Sequence, residues 1–355
     1  TRQREVSFFG TGTYSYKGRY TLNGTVRYEG SNKLGKSRKA RWLPTWNVSA
    51  AWNAHEEEFW QSFRDVVSNM TLKASYSLTA DRGPASVSNS KAIINSYNTW
   101  RPFTSMKESG LILSSVENSE LTYEKKHELN IGAEIGFIDN RINIEADWYT
   151  RNNFDLIGLI YTKGTGGQLA KFANVASMKS SGVEFTVSTR NIKTKDFSWN
   201  TDFIFSHTKN EVTDLQSNAS VMDMISGNGF AMEGYPVRAL FSMDFQGLNE
   251  NGYPTFINEK GQLTVSDINF QEQLKKDHLV YEGPTDPTMT GSLGNIFRYK
   301  GFTLNAFITY SFGNVIRLDP VFHNVYSDLD AMPREFINRW TTGGDEKVTN
   351  VPVIA

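Results

Sequence analysis

The 355-residue chain contains no cysteine, so neither a disulfide framework nor a thiolate metal site can be part of it. An excess of one charge is missing too. Against 37 Lys and Arg stand 38 Asp and Glu, a formal net of -1, which gives nucleic acid no electrostatic handle. No apolar run approaches the roughly 20 residues that a membrane-spanning helix needs, and the mean hydropathy is -0.45. A helical membrane protein is thereby excluded. A membrane barrel is not, because only every second residue of its strands has to be apolar. Histidine is sparse, and His55, His127, His207, His278 and His323 show no metal-ligand spacing, so no zinc and no other cofactor is expected. No signal peptide opens the chain at Thr1, which reads as a mature protein or an internal piece.

What is abundant is alternation. In residues 302–312, Phe302, Leu304, Ala306, Ile308, Tyr310 and Phe312 fall on one face, while Thr303, Asn305, Phe307, Thr309 and Ser311 fall on the other. A repeat of two residues is the signature of a strand with one greasy and one wet side. The same rhythm places Tyr20, Leu22, Val26 and Tyr28 together, then Leu72, Ala74, Tyr76 and Leu78. It returns in Leu129, Ile131, Ala133, Ile135 and Phe137, in Ile142, Ile144, Ala146 and Trp148, in Val183, Phe185 and Val187, and in Phe197, Trp199, Phe203 and Phe205. The wet faces carry Glu128, Glu134, Glu145, Asp147 and Asp202. An all-β antiparallel fold follows, with about eleven strands, each near the roughly 9–11 residues of a tilted membrane strand.

Connections come in two sizes. Lys17-Gly18, Lys300-Gly301, Ile138-Asp139-Asn140 and the stretch 191–195 are short, with Gly, Asn or Asp expected at the positive-φ positions of tight hairpins. Residues 81–121, 158–176, 213–236 and those from Gly313 onward make long connections. Short turns on one side and long loops on the other are the layout of an outer-membrane barrel. The stretch 247–290 breaks the alternation, and an even strand number requires a further strand or hairpin there, around Asn258-Glu259-Lys260-Gly261. Alternation alone fits a soluble sandwich equally well, though sandwich strands usually stop near about 5–6 residues. Trp46, Trp52, Trp148, Trp199, Tyr14 and Tyr28, near strand ends, are the candidates for interfacial aromatic girdles.

Residues 20–31 (YTLNGTVRYEGS) followed by 41–59 (RWLPTWNVSAAWNAHEEEF) resemble a stretch of SusC/RagA-type TonB-dependent transporters. Further elements resemble that family in order: 72–79 (LKASYSLT), 121–132 (LTYEKKHELNIG), 140–155 (NRINIEADWYTRNNFD), 174–184 (NVASMKSSGVE), 197–212 (FSWNTDFIFSHTKNEV) and 283–314. The resemblance implies that residues 1–355 form one segment of an antiparallel transmembrane β-barrel, about half of a barrel of about 22 strands. The plug, the TonB box and the final strands of the family are not found in the chain. It further implies an outer-membrane location in a Gram-negative cell of Bacteroidetes type. The implied partners are a SusD-like surface lipoprotein acting as a lid, TonB, outer-membrane lipid and lipopolysaccharide. The implied cargo is an oligosaccharide or a peptide.

Substrate contacts are expected from the long loops. Tyr97, Trp100, Arg101 and Phe103, beside Asn98, offer aromatic platforms next to hydrogen-bonding groups, and His323, Tyr326 and Asp328, with Asp330, Arg334 and Trp340, offer a second set. Loop packing explains both sets as well. Other motifs point to little chemistry. Glu56-Glu57-Glu58 reads as a solvated turn, Gly164-Thr165-Gly166-Gly167 lacks the helix of a phosphate loop, and Asn249-Glu250-Asn251-Gly252 lacks the carboxylate density of a calcium loop. Lys33, Lys36, Arg38, Lys39 and Arg41 form a basic patch suited to lipopolysaccharide phosphates or the lid. The alternatives are a surface glycan-binding β protein without transport, or a glycan-cleaving enzyme whose carboxylate pair, about 5–9.5 Å apart, would come from Glu134, Glu145 and Asp147. The expectation is that the chain is not an enzyme.

Overall fold

The computed structural model describes residues 4–83, 92–99, 108–161, 170–216, 219–227, 229–321, 329 and 331–354. Its strands are β1 (Glu5–Tyr16), β2 (Tyr20–Ser31), β3 (Trp42–Asn53), β4 (Val67–Asp81), β5 (Ile93–Thr99), β6 (Glu108–Ser115), β7 (Glu124–Phe137), β8 (Ile142–Tyr161) and β9 (Ala170–Lys193). They continue with β10 (Phe197–Leu215), β11 (Ala239–Met243), β12 (Phe245–Leu248), β13 (Pro254–Ile257), β14 (Leu263–Thr264), β15 (Leu279–Pro284), β16 (Met289–Tyr299) and β17 (Phe302–Phe312). Two short helices, α1 (Arg38–Arg41) and α2 (Val221–Ile225), lie in connections. Among the described residues no helix is long and apolar enough to cross a membrane. The chain divides into two compact units, residues 1–217 with 288–312, and residues 218–287 with 313–355.

The first unit is one ten-stranded sheet in the order β1-β2-β3-β4-β7-β8-β9-β10-β16-β17. Every neighbouring pair is antiparallel, and β5 and β6 form a separate hairpin. Short turns join β1 to β2, β7 to β8, β9 to β10 and β16 to β17 at one edge of the sheet. Connections after β2, β4, β8 and β10 leave from the other edge. Positive φ at Lys17 and Gly18 supplies the turn that matches strand twist. Glycine is not always the residue that bends. At the β16–β17 turn it is Lys300 that has φ 52°, and the β7–β8 turn takes Ile138, Asp139 and Asn140 through three consecutive positive φ values. A β-branched residue such as Ile138 adopts that conformation only under constraint.

Register explains why the alternation matters. Reading straight across the sheet, Tyr14, Leu22, Ala50, Ala74, Ile131, Trp148, Val183, His207, Met289 and Phe312 are successive cross-strand partners. The adjacent row reads Ser15, Thr21, Ala51, Lys73, Gly132, Asp147, Glu184, Ser206, Thr290 and Ser311. A slip of one residue in any strand would exchange the two rows, so the sheet holds one greasy and one wet face over its whole width. The greasy face is exposed: Ile131 is 50%, Trp148 42% and Phe312 61% accessible. A soluble sandwich would bury that face against a second sheet.

Strand count and length depart from the sequence-based expectation. The wall has ten strands, and β8, β9 and β10 run 20, 24 and 19 residues, well past the span a bilayer requires. Register shifts at Asn153/Leu156 and Val212/Asp214 mark where these strands continue beyond the regular ladder. The hairpin expected near Asn258 exists as β13 and β14, but it joins β12 in a three-stranded sheet of the second unit and adds nothing to the wall. That unit also pairs β11 with β15 over a small core of Ala219, Met224, Ala239 and Phe241.

Candidate functional site

The wet face of the wall is built by side chains that fit over glycines. Tyr149 lies across its partner Gly182, where a Cβ would meet the Tyr149 hydroxyl at 2.5 Å, and donates or accepts with Thr208 Oγ1 at 2.7 Å. The Arg151 guanidinium sits 3.9 Å above the Tyr149 ring and pairs with Glu128 at 3.0 Å. Phe307, on the wet face of β17, covers Gly294 in the same way. Lys73 bridges Glu134 and Glu145, which are direct cross-strand partners, the second at 3.6 Å. Like charges directly opposite destabilise a sheet, so Lys73 is what makes that pair tolerable. Glu145 is therefore held by a lysine, and Asp202 accepts from Ser188 at 2.7 Å. All five acidic residues assigned to wet faces share this face.

At the edge opposite the short turns, the chain folds over itself. Leu34, Leu121 and Tyr123 form a buried cluster with Leu43, Ala80, Ile157 and Phe172 around it. Gly35 is required there, because a Cβ would lie 1.9 Å from the Ser119 carbonyl oxygen. Asn174 stitches the cluster to the wall, donating to the Thr122 and Asp155 carbonyls at 3.0 and 2.6 Å and accepting from the Thr122 N–H at 2.9 Å. Burial, with Glu29 nearby, pushes the Tyr123 phenol up to about 12. A cavity of about 70 Å³ beside it is lined by Glu5, Arg27, Glu29 and Arg82, with Arg27 and Glu29 paired at 2.5 Å and Arg82 paired to Glu5.

Aromatics mark both ends of the greasy face. Tyr14, Trp52 and Trp199 lie one or two residues from the short-turn ends of their strands, and Tyr28 and Trp46 lie toward the other end. Trp148 shares the face but stands six residues from the start of β8, in mid-strand. Rings run diagonally from Trp46 to Tyr76 to His127 to Phe154, at centroid distances of 5.3, 5.8 and 5.5 Å. Tyr28 stacks on Trp42 at 5.1 Å. Trp199 stacks on Phe297 at 5.6 Å and donates its indole N–H to Asn295 at 2.9 Å.

Of the residues expected to touch substrate, Tyr97 lies on β5 opposite Gly110, with its side chain exposed. Trp100, Arg101, Phe103, His323, Tyr326 and Asp328 lie outside the described residues, as do Asp330 and the Gly164 to Gly167 run. Trp340 packs over Gly252 and donates to Glu346 at 3.3 Å, which is loop packing. Within the basic patch, Lys36 pairs with Glu117 at 2.7 Å and Arg41 donates to the Gly35 carbonyl at 3.3 Å. Asn249 organises its turn by accepting from the Asn251 and Tyr253 N–H groups. Among the described residues no group of His, Asp and Glu could hold a metal.

One expectation changes at Glu57. Glu56 and Glu58 face solvent, but the Glu57 side chain is only 12% exposed and accepts from Tyr20 at 2.5 Å, Trp52 at 3.2 Å and Arg19 at 3.0 Å. The Tyr20 hydroxyl above all, with Trp52 and Arg19, holds this carboxyl below the usual glutamate range. It ties the β3–β4 connection to the β1–β2 hairpin. The signal in the sequence was Phe59-Trp60 beside the acidic run, since Trp60 buries there and donates to the Val67 carbonyl at 3.0 Å.

Comparison with known proteins agrees with this architecture. Residues 1–325 match the family described as TonB dependent receptor-like, beta-barrel. A TonB-dependent receptor of Formosa agariphila is 24% identical over 350 residues, covering 95% of this chain and 34% of the relative. The TonB-dependent receptor SusC of Bacteroides thetaiotaomicron is 26% identical over 362 residues, covering 93% of the chain and 34% of the relative. The chain thus spans about a third of the length of these curated relatives. Among solved structures, that of the RagAB peptide transporter superposes with a TM-score of 0.79 at 22% identity, over 99% of this chain and 38% of that one. The Escherichia coli outer membrane transporter YddB shares the fold at a TM-score of 0.51 and 14% identity. With two-faced strands in one meandering sheet, short turns at one edge and a family match over most of its length, the chain belongs to the TonB-dependent receptor-like β-barrel family.

Proposed function

We propose that this chain forms wall and outer loops of a SusC-like outer-membrane transporter for the TonB-dependent import of oligosaccharides or peptides. The observation that carries the reading is the exposed apolar row from Tyr14 to Phe312 beside the polar row from Ser15 to Ser311, which suits lipid on one side and a wet lumen on the other. Residues 1–355 then act as one barrel segment, with β1 and β17 as edges that need partner strands, because open sheet edges do not persist in hydrocarbon. The protein works in the outer membrane of a Bacteroidetes-type cell, against lipid and lipopolysaccharide, with a SusD-like lipoprotein over its mouth. Tyr97, Trp100, Arg101, Phe103, His323, Tyr326 and Asp328 are the loop residues assigned to substrate contact. The chain carries no catalysis.

A surface glycan-binding protein without transport would have to cover the greasy face with protein, whereas among the described residues Ile131, Trp148 and Phe312 on that face are exposed. Expression of the full-length gene in a Bacteroidetes host tests the proposal. The protein is expected in the outer-membrane fraction, soluble only with detergent, and co-purifying with a lipoprotein. Deleting the gene is expected to abolish growth on one oligosaccharide or peptide source. A full-length protein that stays monodisperse without detergent would sink the transporter reading.

A further inference from the structure

The second unit contains a cavity of about 520 Å³, within the range of roughly 300–1,000 Å³ usual for ligand pockets. Phe245 and Phe256 line it from facing strands, their centroids 5.9 Å apart at 56°, and Phe245 is 39% exposed. Ser242, Asp244, Glu282 and Arg317 complete its polar lining. Glu282 accepts from the Ser242 hydroxyl, and Asp244 accepts from Gln246 Nε2 at 2.7 Å. Arg317 donates through one Nη to the Phe241 carbonyl at 2.8 Å and forms no ion pair with either carboxylate.

The donor and acceptor inventory narrows the ligand. Carboxylates only accept and a guanidinium only donates, so a ligand that presents donors and acceptors side by side, as neighbouring hydroxyls do, matches this lining. Phe245, partly exposed beside Phe256, offers apolar area for the C–H face of a sugar. Two carboxylates against one guanidinium oppose a polyanion. An extended peptide would bind by adding a strand to a sheet edge, but Arg317 already occupies a main-chain acceptor of β11. We propose that this cavity is a subsite for a neutral oligosaccharide. The assignment deepens the import reading, on which it rests, by choosing glycan over peptide.

The test uses the full-length receptor, purified in detergent with any lipoprotein that accompanies it. It is applied to a printed panel of neutral, uronate-containing and sulfated oligosaccharides, and in parallel to a short-peptide library. The tightest neutral glycan is then titrated against wild type, Glu282→Gln and Phe245→Ala. Glu282→Gln keeps the side-chain shape, so it is informative even if Phe245→Ala disturbs the unit. Each substitution is expected to weaken that glycan about tenfold, the loss of one charge-assisted hydrogen bond or one stacking contact. Binding of peptides or anionic glycans only, binding of nothing, or affinities unchanged by both substitutions would overturn the subsite. Outer-membrane fractionation of the same preparations reads the import proposal separately: a protein that resides in that membrane yet fails the titrations loses the subsite alone.

Discussion

Single residues in the wall act mainly through the space they leave. Gly182 leaves room for Tyr149, and a Cβ there would also stand 2.6 Å from the His207 carbonyl oxygen, a backbone atom that cannot swing away. Gly182→Ala is therefore expected to destabilise the folded barrel by about 1–3 kcal/mol, the usual range for overpacking. Gly24→Ala, where nothing lies within 4 Å of the added Cβ, serves as the control and should be neutral or slightly favourable. The urea midpoint of the heat-modifiable gel band of the full-length protein separates the two, and equal midpoints would show that Tyr149 and its neighbours yield. The alternation that puts Glu145 and Asp147 on the wet face puts Tyr149 there by the same count, but does not give its glycine partner, because the pairing of residue 149 with residue 182 is set by a register that only the assembled sheet defines.

At the scale of elements, α2 shows how local chemistry holds a segment that alternation does not describe. Ser220 caps it and Asp223 closes a capping box, accepting from the Ser220 N–H and hydroxyl at 2.9 and 2.8 Å. Those two Ser220 groups, with Lys276 adding a smaller attraction, hold the Asp223 carboxyl below the usual aspartate range. Because the folded-state pKa is depressed, the stabilisation is fully present above the unfolded value of about 3.9. It is lost as pH falls through the folded one. Hydrogen-exchange protection factors of residues 220–226, taken relative to the intrinsic rate at each pH, are expected to hold at neutral pH and to fall below about pH 4, with Asp223→Asn removing the acid dependence. Ser220→Ala should weaken the cap by about 1 kcal/mol at neutral pH. A protection factor indifferent to both pH and these substitutions would mean that packing of Val221 and Met224 alone holds the helix. The Ser-x-x-Asp signal at Ser220 was in the sequence, but a helix of five residues is too short for periodicity to reveal.

For the molecule as a whole, the decisive property is which solvent meets each face of the sheet. Val187 and Thr186 are adjacent on β9: Val187 pairs with Ile144 and Phe203 in the greasy rows, and Thr186 pairs with Glu145 in the wet ones. If lipid covers the greasy face, Val187→Arg should cost about 2–4 kcal/mol, the cost of a cation near the bilayer midplane. Thr186→Arg should be tolerated beside Glu145. Folding titrations of both full-length variants into lipid vesicles give the comparison, and similar costs for the two would remove lipid from the greasy face.

The positions of many wall strands along the chain, the identity of their greasy residues and the division into short turns and long connections were legible in the chain itself, because a two-residue repeat and turn chemistry are local properties. Even Glu134 and Glu145 could be placed on a wet face by counting. What counting could not reach is everything that depends on one strand lying beside another. Lys73 between that acidic pair, Glu57 drawn out of solvent by Tyr20, Trp52 and Arg19, and the ten-strand continuity of the two rows all arise from hydrogen-bond register across the sheet. Side chains distant in sequence meet only when that register is set, and a two-residue periodicity within each strand is blind to it. The sequence by itself therefore determined that the chain makes two-faced strands, while the tertiary structure alone decided that those faces join into a single apolar and a single polar surface.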